Sequence, residues 1–164
     1  MAEALILLAA EREDDVFLIR EALVKARISH PIYVVRDGEG VIEYLNGQGK
    51  YANRAEYPLP NLLLLDLKMS RKDGFQVLQW LRQQQSQLRT LPVVVLTTFG
   101  ELREVHFAYW LGANSFLVKP LDFRNFEKLG ELISSYGLKL DLEPQISEKL
   151  FPVVEQTPSA HATN

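Results

Sequence analysis

The stretch Leu62-Leu63-Leu64-Leu65-Asp66 limits the possible folds more than any other part of the chain. It shows no polar/apolar alternation, so as a strand it has to be covered on both faces. That is the environment of a central strand in a parallel sheet. The segment Leu67-Lys68-Met69-Ser70-Arg71-Lys72-Asp73-Gly74 then closes on a glycine and reads as a turn into a helix. Open parallel α/β sheets gather ligands and chemistry at the carboxyl ends of their strands, so Asp66 is delivered to the working edge of such a fold.

The other segments alternate between strand and helix. Ala4 to Ala10 reads as a first buried strand, interrupted by Glu11-Arg12-Glu13-Asp14-Asp15. Val16, Ile19, Leu23 and Ala26 then recur at helical spacing, with the carboxylates near the positive end of the helix dipole. Pro31 to Val35 is a second strand, Asp37-Gly38 turns into a helix with Val41, Ile42 and Leu45 inward, and Gly47 to Pro60 is a long Gly/Asn/Pro-rich loop. A third helix follows Gly74, with Phe75, Leu78 and Leu81 as its inward stripe. Val93-Val94-Val95-Leu96 is a buried β-branched run ending in Thr97-Thr98. A fourth helix from Leu102 to Leu111 turns Leu102, Val105, Ala108 and Leu111 to the sheet and stops at Gly112, a cap glycine. Ser115 to Val118 is a fifth strand ending in Lys119-Pro120, and a last helix runs from about Phe123 to Tyr136. Five strands alternating with five helices predict a doubly wound α/β domain with right-handed crossovers.

Length and composition narrow the function classes. The 164 residues suit one domain, read as residues 1–140, followed by a Pro-containing tail at 141–164 too short for an output domain. No cysteine is present, which excludes disulfide frameworks, thiolate metal sites and thiol nucleophiles and suits the cytoplasm. A net charge of −3 with mixed signs gives no electrostatic footprint for nucleic acid. No run approaches membrane-spanning length, and Met1-Ala2-Glu3-Ala4 lacks the basic region of a signal peptide.

Three strands end in functional side chains at one sheet edge: Asp66, Thr97 and Lys119. Singly, each has an ordinary explanation as a turn, cap or strand-end residue. Together, a carboxylate nucleophile beside a hydroxyl and an ammonium is what phosphoryl transfer to aspartate requires, because donors must neutralise charge on the transferred oxygens. A divalent cation would share that task, with oxygen ligands from Glu11 and Asp66.

The strand Leu62 to Asp66, the segment Lys72-Asp73-Gly74, the run Val93 to Thr97 and the stretch Gly112 to Pro120 together resemble the receiver domain of bacterial response regulators. The resemblance covers roughly Ala4 to Tyr136 and is close in style to single-domain regulators paired with bacteriophytochrome-type histidine kinases. It implies a flavodoxin-like (βα)5 sheet of order 2-1-3-4-5 and a phospho-acceptor at Asp66. It further implies a switch hydroxyl at Thr97, a phosphate-pairing Lys119, an aromatic switch at Phe116 that moves inward, and a cis Lys119-Pro120 peptide. Mg²⁺ would be held by Glu11, Asp66 and the backbone carbonyl of Lys68. The domain would not be an enzyme in the ordinary sense, though it would catalyse its own phosphotransfer and dephosphorylation. A sensor histidine kinase would be its donor.

The chain departs from the family pattern after the first strand. Ala10 stands where the first of two or three consecutive acids is usual, and Glu11 where the direct metal ligand is normally Asp, so a weakened Mg²⁺ site is expected. A pseudo-receiver, acting as a phosphorylation-independent protein-binding adaptor, is the rival reading. A haloacid-dehalogenase-type phosphatase would need a second Asp where Lys68 stands, and a flavodoxin would need a glycine-bearing phosphate loop after the first strand. His30, His106 and His161 are scattered and read as surface residues. Phe107 and Trp110, three residues apart on the fourth helix, are expected to form an exposed aromatic patch. In receivers the face of helix four, strand five and helix five is a common dimer or output surface, so the patch is expected to be where the protein touches either itself, as a homodimer, or its target.

Overall fold

Strand alternation divides the apolar residues between two cores, one on each face of the sheet. The computed structural model describes residues 4–97 and 101–119. Within them run five strands, β1 (Ile6–Ala9), β2 (Ile32–Val35), β3 (Leu62–Asp66), β4 (Val93–Thr97) and β5 (Ser115–Val118). Four α-helices alternate with them: α1 (Glu13–Lys25), α2 (Gly38–Asn46), α3 (Gly74–Arg82) and α4 (Leu102–Trp110). Every pairing is parallel and the order is β2-β1-β3-β4-β5, as expected. The fifth helix expected at 123–136, the Lys119-Pro120 peptide and the tail at 141–164 lie outside the described residues.

Leu62, Leu63, Leu64 and Leu65 are all at 0% exposure, which bears out the central placement of β3. Each buried leucine stabilises the fold by roughly 1.5–3 kcal/mol. Leu63, Leu65, Val93 and Val95 meet Val41, Leu45, Leu78, Leu81 and Ala108 of α2, α3 and α4 on one face. Leu62, Leu64, Val94 and Leu96 meet Val16, Ile19, Ala22 and Leu23 of α1 on the other. The two faces follow from the two-residue period of a strand.

The helix starts follow local chemistry. Asp37 caps α2 by accepting from the Gly40 amide at 2.7 Å. Asp73 and Gln76 form a reciprocal capping box on α3. α1 has no side-chain cap and instead carries Glu13, Asp14 and Asp15 in its first turn, where carboxylates offset the dipole.

Some expectations shift. β1 pairs only over Ile6–Ala9, although Ala4 to Ala10 are all buried. Ile42 and Phe75 are half-buried, and Tyr44 and Val77 take the enclosed positions on their helices. Leu102 is 69% exposed rather than turned to the sheet, and Tyr109 is buried in its place. Leu102 opens α4 at the carboxyl edge of the sheet, and helical side chains lean toward the N-terminus, so its side chain overhangs that edge. The expected loop at 47–60 is pinned: Tyr33, Tyr44, Tyr51 and Tyr57 pack ring against ring at 4.9–6.1 Å. Arg54 donates to the carbonyls of Tyr44 and Leu45 at the end of α2 and of Tyr57, which ties the loop to the helix before it.

Candidate functional site

The sheet register assembles the site. Ala9 pairs with Leu65, Asp66 with Leu96 and Thr97 with Val118, so Ala10, Asp66, Thr97 and Lys119 end up in adjacent final rungs. Alternation then splits them between faces. Asp66 continues the Leu62 and Leu64 face toward α1, as Lys119 continues that of Leu117. Thr97 continues the Val93 and Val95 face toward α4, where Phe116 also packs. Charge therefore lies on the α1 side, and the hydroxyl and the ring lie on the α4 side.

Asp66 is buried, and both carboxylate oxygens are in use. Oδ1 accepts from the Lys68 backbone amide at 3.1 Å and Oδ2 accepts from Lys119 Nζ at 2.8 Å. Gly74 lets the start of α3 pack against the backbone at the end of β3, because a Cβ there would stand 2.6 Å from the Asp66 carbonyl oxygen. Lys119 is buried as well, and its Nζ also donates to Asp15 Oδ2 at 2.7 Å. Burial pulls the Lys119 pKa down, but hydrogen bonds to Asp15 and Asp66, with the charges of both, outweigh it and raise the pKa above its ordinary value. The ammonium is firmly held as a cation.

Thr97 is completely buried, and its Oγ1 has no hydrogen-bond partner among the described residues. A buried hydroxyl left unpaired costs free energy. Phe116 is 4% exposed, so the ring expected to move inward already lies inside.

Asp66 and Lys119 thus meet directly, while Thr97 stands at the end of the neighbouring strand on the α4 face, where Phe116 is also buried. Glu11 does not join the charged cluster: it is exposed and accepts from Ser70 Oγ at 2.7 Å. Ala10 is buried level with Asp66, where it supplies no ligand. Among the described residues no group of three or more His, Asp or Glu side chains is placed to hold a metal ion. The donor chemistry nonetheless fits a hard cation that keeps several waters: the Asp66 carboxylate, backbone oxygen, and a Glu11 carboxylate one hydrogen bond away from release.

Sequence reasoning missed Asp15. The signal was present, because Asp15, Ile19 and Ala22 share one face of α1, and Ile19 and Ala22 are buried. A carboxylate one turn above a buried face points at the sheet edge.

The aromatic patch is present and larger than expected. Phe107 and Trp110 are 44% and 67% exposed and stack at 6.1 Å, and Phe75 joins them at 4.8 Å from Phe107. No helix among the described residues is long and apolar enough to cross a membrane.

A parallel sheet of order 2-1-3-4-5 that presents a carboxylate, a hydroxyl and an ammonium from the ends of β3, β4 and β5 defines the flavodoxin-like receiver fold. Residues 6–130 match the response regulator receiver domain, and the chain belongs to that family of two-component signalling domains. It is 37% identical over 134 residues to response regulator Rcp1 of Synechocystis sp., covering 82% of this chain and 88% of that protein. It is similar to the crystal structure of the phosphorylated cyanobacterial phytochrome response regulator RcpA. That match has a TM-score of 0.76 at 32% identity and covers 85% of this chain and 96% of that one. It is also similar to the Mn²⁺-bound form of Rcp1, with a TM-score of 0.73 at 36% identity, covering 83% of this chain and 95% of that one.

Proposed function

We propose that this chain is a phospho-accepting response regulator that takes a phosphoryl group from a histidine kinase onto Asp66 and signals through protein contacts. The observation that carries the reading is the buried Asp66 bonded to Lys119, with the Thr97 hydroxyl buried at the end of the next strand and unpartnered among the described residues. In the transfer, an Asp66 oxygen attacks phosphorus in line. The P–N bond of phosphohistidine breaks, its electron pair stays on the imidazole, and a P–O bond forms. Lys119 turns one of its donors onto a phosphoryl oxygen, and Thr97 supplies a hydrogen bond to another. Phe116, buried on the same face as Thr97 and α4, would serve as the aromatic switch that couples engagement of the hydroxyl to that face. Mg²⁺ held by Asp66, Glu11 and the Lys68 carbonyl would neutralise charge on the transferred group; Glu11 must leave Ser70 to take part.

The likeness to a phytochrome response regulator supports a bacteriophytochrome-type sensor kinase as donor, and with it a cytoplasmic location. The boundary we assign, a receiver domain at 1–140 and a tail at 141–164, is compatible with the family match ending at residue 130. The patch of Phe75, Phe107 and Trp110 supports homodimer contact on the face that includes α4 and β5. The rival adaptor reading draws on Ala10 and on the Glu11–Ser70 bond, both of which remove carboxylates from the pocket.

Intact-mass spectrometry after treatment with acetyl phosphate and Mg²⁺, beside Asp66→Asn and a metal-free sample, separates the two. A phosphate-sized adduct that needs Asp66 and metal is expected. No adduct, with a phosphorylated kinase failing as donor too, overturns the reading in favour of the adaptor.

A further inference from the structure

The Lys119 ammonium is held from two directions. One bond goes to Asp66 at 2.8 Å and the shorter one, at 2.7 Å, goes to Asp15 in the first turn of α1. Lys119 follows the end of β5, where its amide donates to the Thr97 carbonyl and its side chain is buried, which sets the stem but not the hydrogen bonding of the ammonium head. Its placement falls to the two carboxylates. Ala10, level with Asp66, leaves the rung beside the acceptor without an acid, and Glu11 is engaged by Ser70.

Resting on the phospho-acceptor reading above, we propose that Asp15 is a positioning residue for phosphoryl transfer. It anchors Lys119 from α1 and keeps a negative charge in the pocket where Ala10 supplies none. An ammonium has three donors. In the resting site one serves Asp15 and one serves Asp66, leaving the third for an incoming phosphoryl oxygen. When an Asp66 oxygen becomes the bridging oxygen of an acyl phosphate, that carboxylate loses its charge and its bond to Lys119 weakens. Asp15 is then the fixed pivot on which Lys119 turns from the carboxylate to the phosphoryl group without leaving the pocket. Misplacement of a charge-stabilising group by about 1 Å costs up to roughly a hundredfold in rate. The first turn of α1 is thereby coupled to the state of Asp66.

The test compares acetyl phosphate labelling rates, read by intact mass, for wild type, Asp15→Asn, Asp15→Glu and Asp14→Asn. Asp14 shares the same helical turn, pairs with the exposed Arg12 and accepts from the Asp15 amide at 3.1 Å without reaching Lys119, so its variant controls for the lost helix-end charge and for that local bond. In parallel, ¹⁵N NMR follows the Lys119 ammonium signal, which a merely structural role for Asp15 would not move once the backbone amide spectrum shows an intact fold. The expected result is labelling about tenfold slower or worse in Asp15→Asn, with the Lys119 signal broadened by solvent exchange. Partial recovery is expected in Asp15→Glu and wild-type behaviour in Asp14→Asn. Labelling of Asp15→Asn within twofold of a labelled wild type overturns the inference, whatever the ammonium signal does. A wild type that takes no label overturns the phospho-acceptor reading and the role built on it, so the two failures are told apart by the wild-type arm.

Discussion

Thr97→Val tests whether the resting site stores a cost at its hydroxyl. Thr97 is fully buried and its Oγ1 has no partner among the described residues, and an unsatisfied buried hydroxyl costs about 1–3 kcal/mol. Valine keeps the β-branched shape that suits the end of β4 and removes the polar atom. The replacement should therefore stabilise the unphosphorylated protein by about 1–2 kcal/mol. For a chain of this size that is roughly 2–8 °C in Tm. In urea it is roughly 0.5 M or more in midpoint, with an unchanged slope. Thr97→Ser keeps the hydroxyl, loses a buried methyl and should destabilise by about 1 kcal/mol. Denaturation followed by circular dichroism on the three proteins gives the ranking, and tryptophan fluorescence with beryllium fluoride gives the functional half. Thr97→Val should be the most stable and the least responsive. A Thr97→Val protein less stable than wild type by 1 kcal/mol or more would mean that the hydroxyl is satisfied at rest, and the argument for a stored cost would fail.

Other consequences are equally measurable. A Cβ at Gly38 would stand 2.1 Å from the Lys72 carbonyl oxygen, so Gly38→Ala should cost more than about 2 kcal/mol in urea unfolding; a loss below 0.5 kcal/mol would show that the loop yields freely. Arg82 donates to the carbonyls of Arg89, Leu91 and Gly112 and to Asn114 Oδ1, so Arg82→Met should destabilise by about 2–4 kcal/mol, with no loss indicating that water replaces the guanidinium. Burial, and then the neighbouring Tyr33, push the Tyr44 phenol well above its ordinary value, so its contribution to stability is complete below about pH 10 and is lost as pH rises toward the folded value. Absorbance titration of the folded protein should show a late phenol ionisation that Tyr44→Phe removes; an unchanged titration in the variant would refute the assignment.

The fold was legible because its strongest signals are local. Leu62 to Leu65 and Val93 to Leu96 cannot be half-exposed strands, and the residues between them fix the alternation with helices. Asp66, Thr97 and Lys119 were legible because each terminates a strand, and strand ends converge in a parallel sheet. Asp15 was read as a helix-end carboxylate, because dipole arguments account for an acid in a first turn and ask nothing more of it. Its contact with Lys119 spans 104 residues and needs the register of β5 against β4, which no local window contains. The overhang of Leu102 escaped for a related reason: periodicity gives the face of a helix but not where the sheet beneath it stops. Phe75 likewise read as core until its ring was seen to meet Phe107 across the α3–α4 boundary.

The segment that joins β3 to α3 also acts as a ruler. Its Ser70 and Arg71 carbonyls receive the Gly38 and Glu39 amides of α2 at 3.4 and 3.0 Å, and Ser70 Oγ reaches Glu11. At its far end the Gly74 amide returns to the Leu67 carbonyl at 2.9 Å. Arg71 and Lys72 take φ values of 52° and 92° to keep these appointments. The segment can therefore change its side chains more readily than its length. One residue inserted or deleted between Asp66 and Gly74 would swing both carbonyls away from α2 and unseat Glu11 at the same time, leaving helix-end amides without partners. Gains and losses of residues are better borne between α3 and β4, where Gln83 to Ser86 are largely open to solvent. A grafting or domain-insertion experiment on this chain has its natural opening there, on the side of the sheet remote from the acceptor.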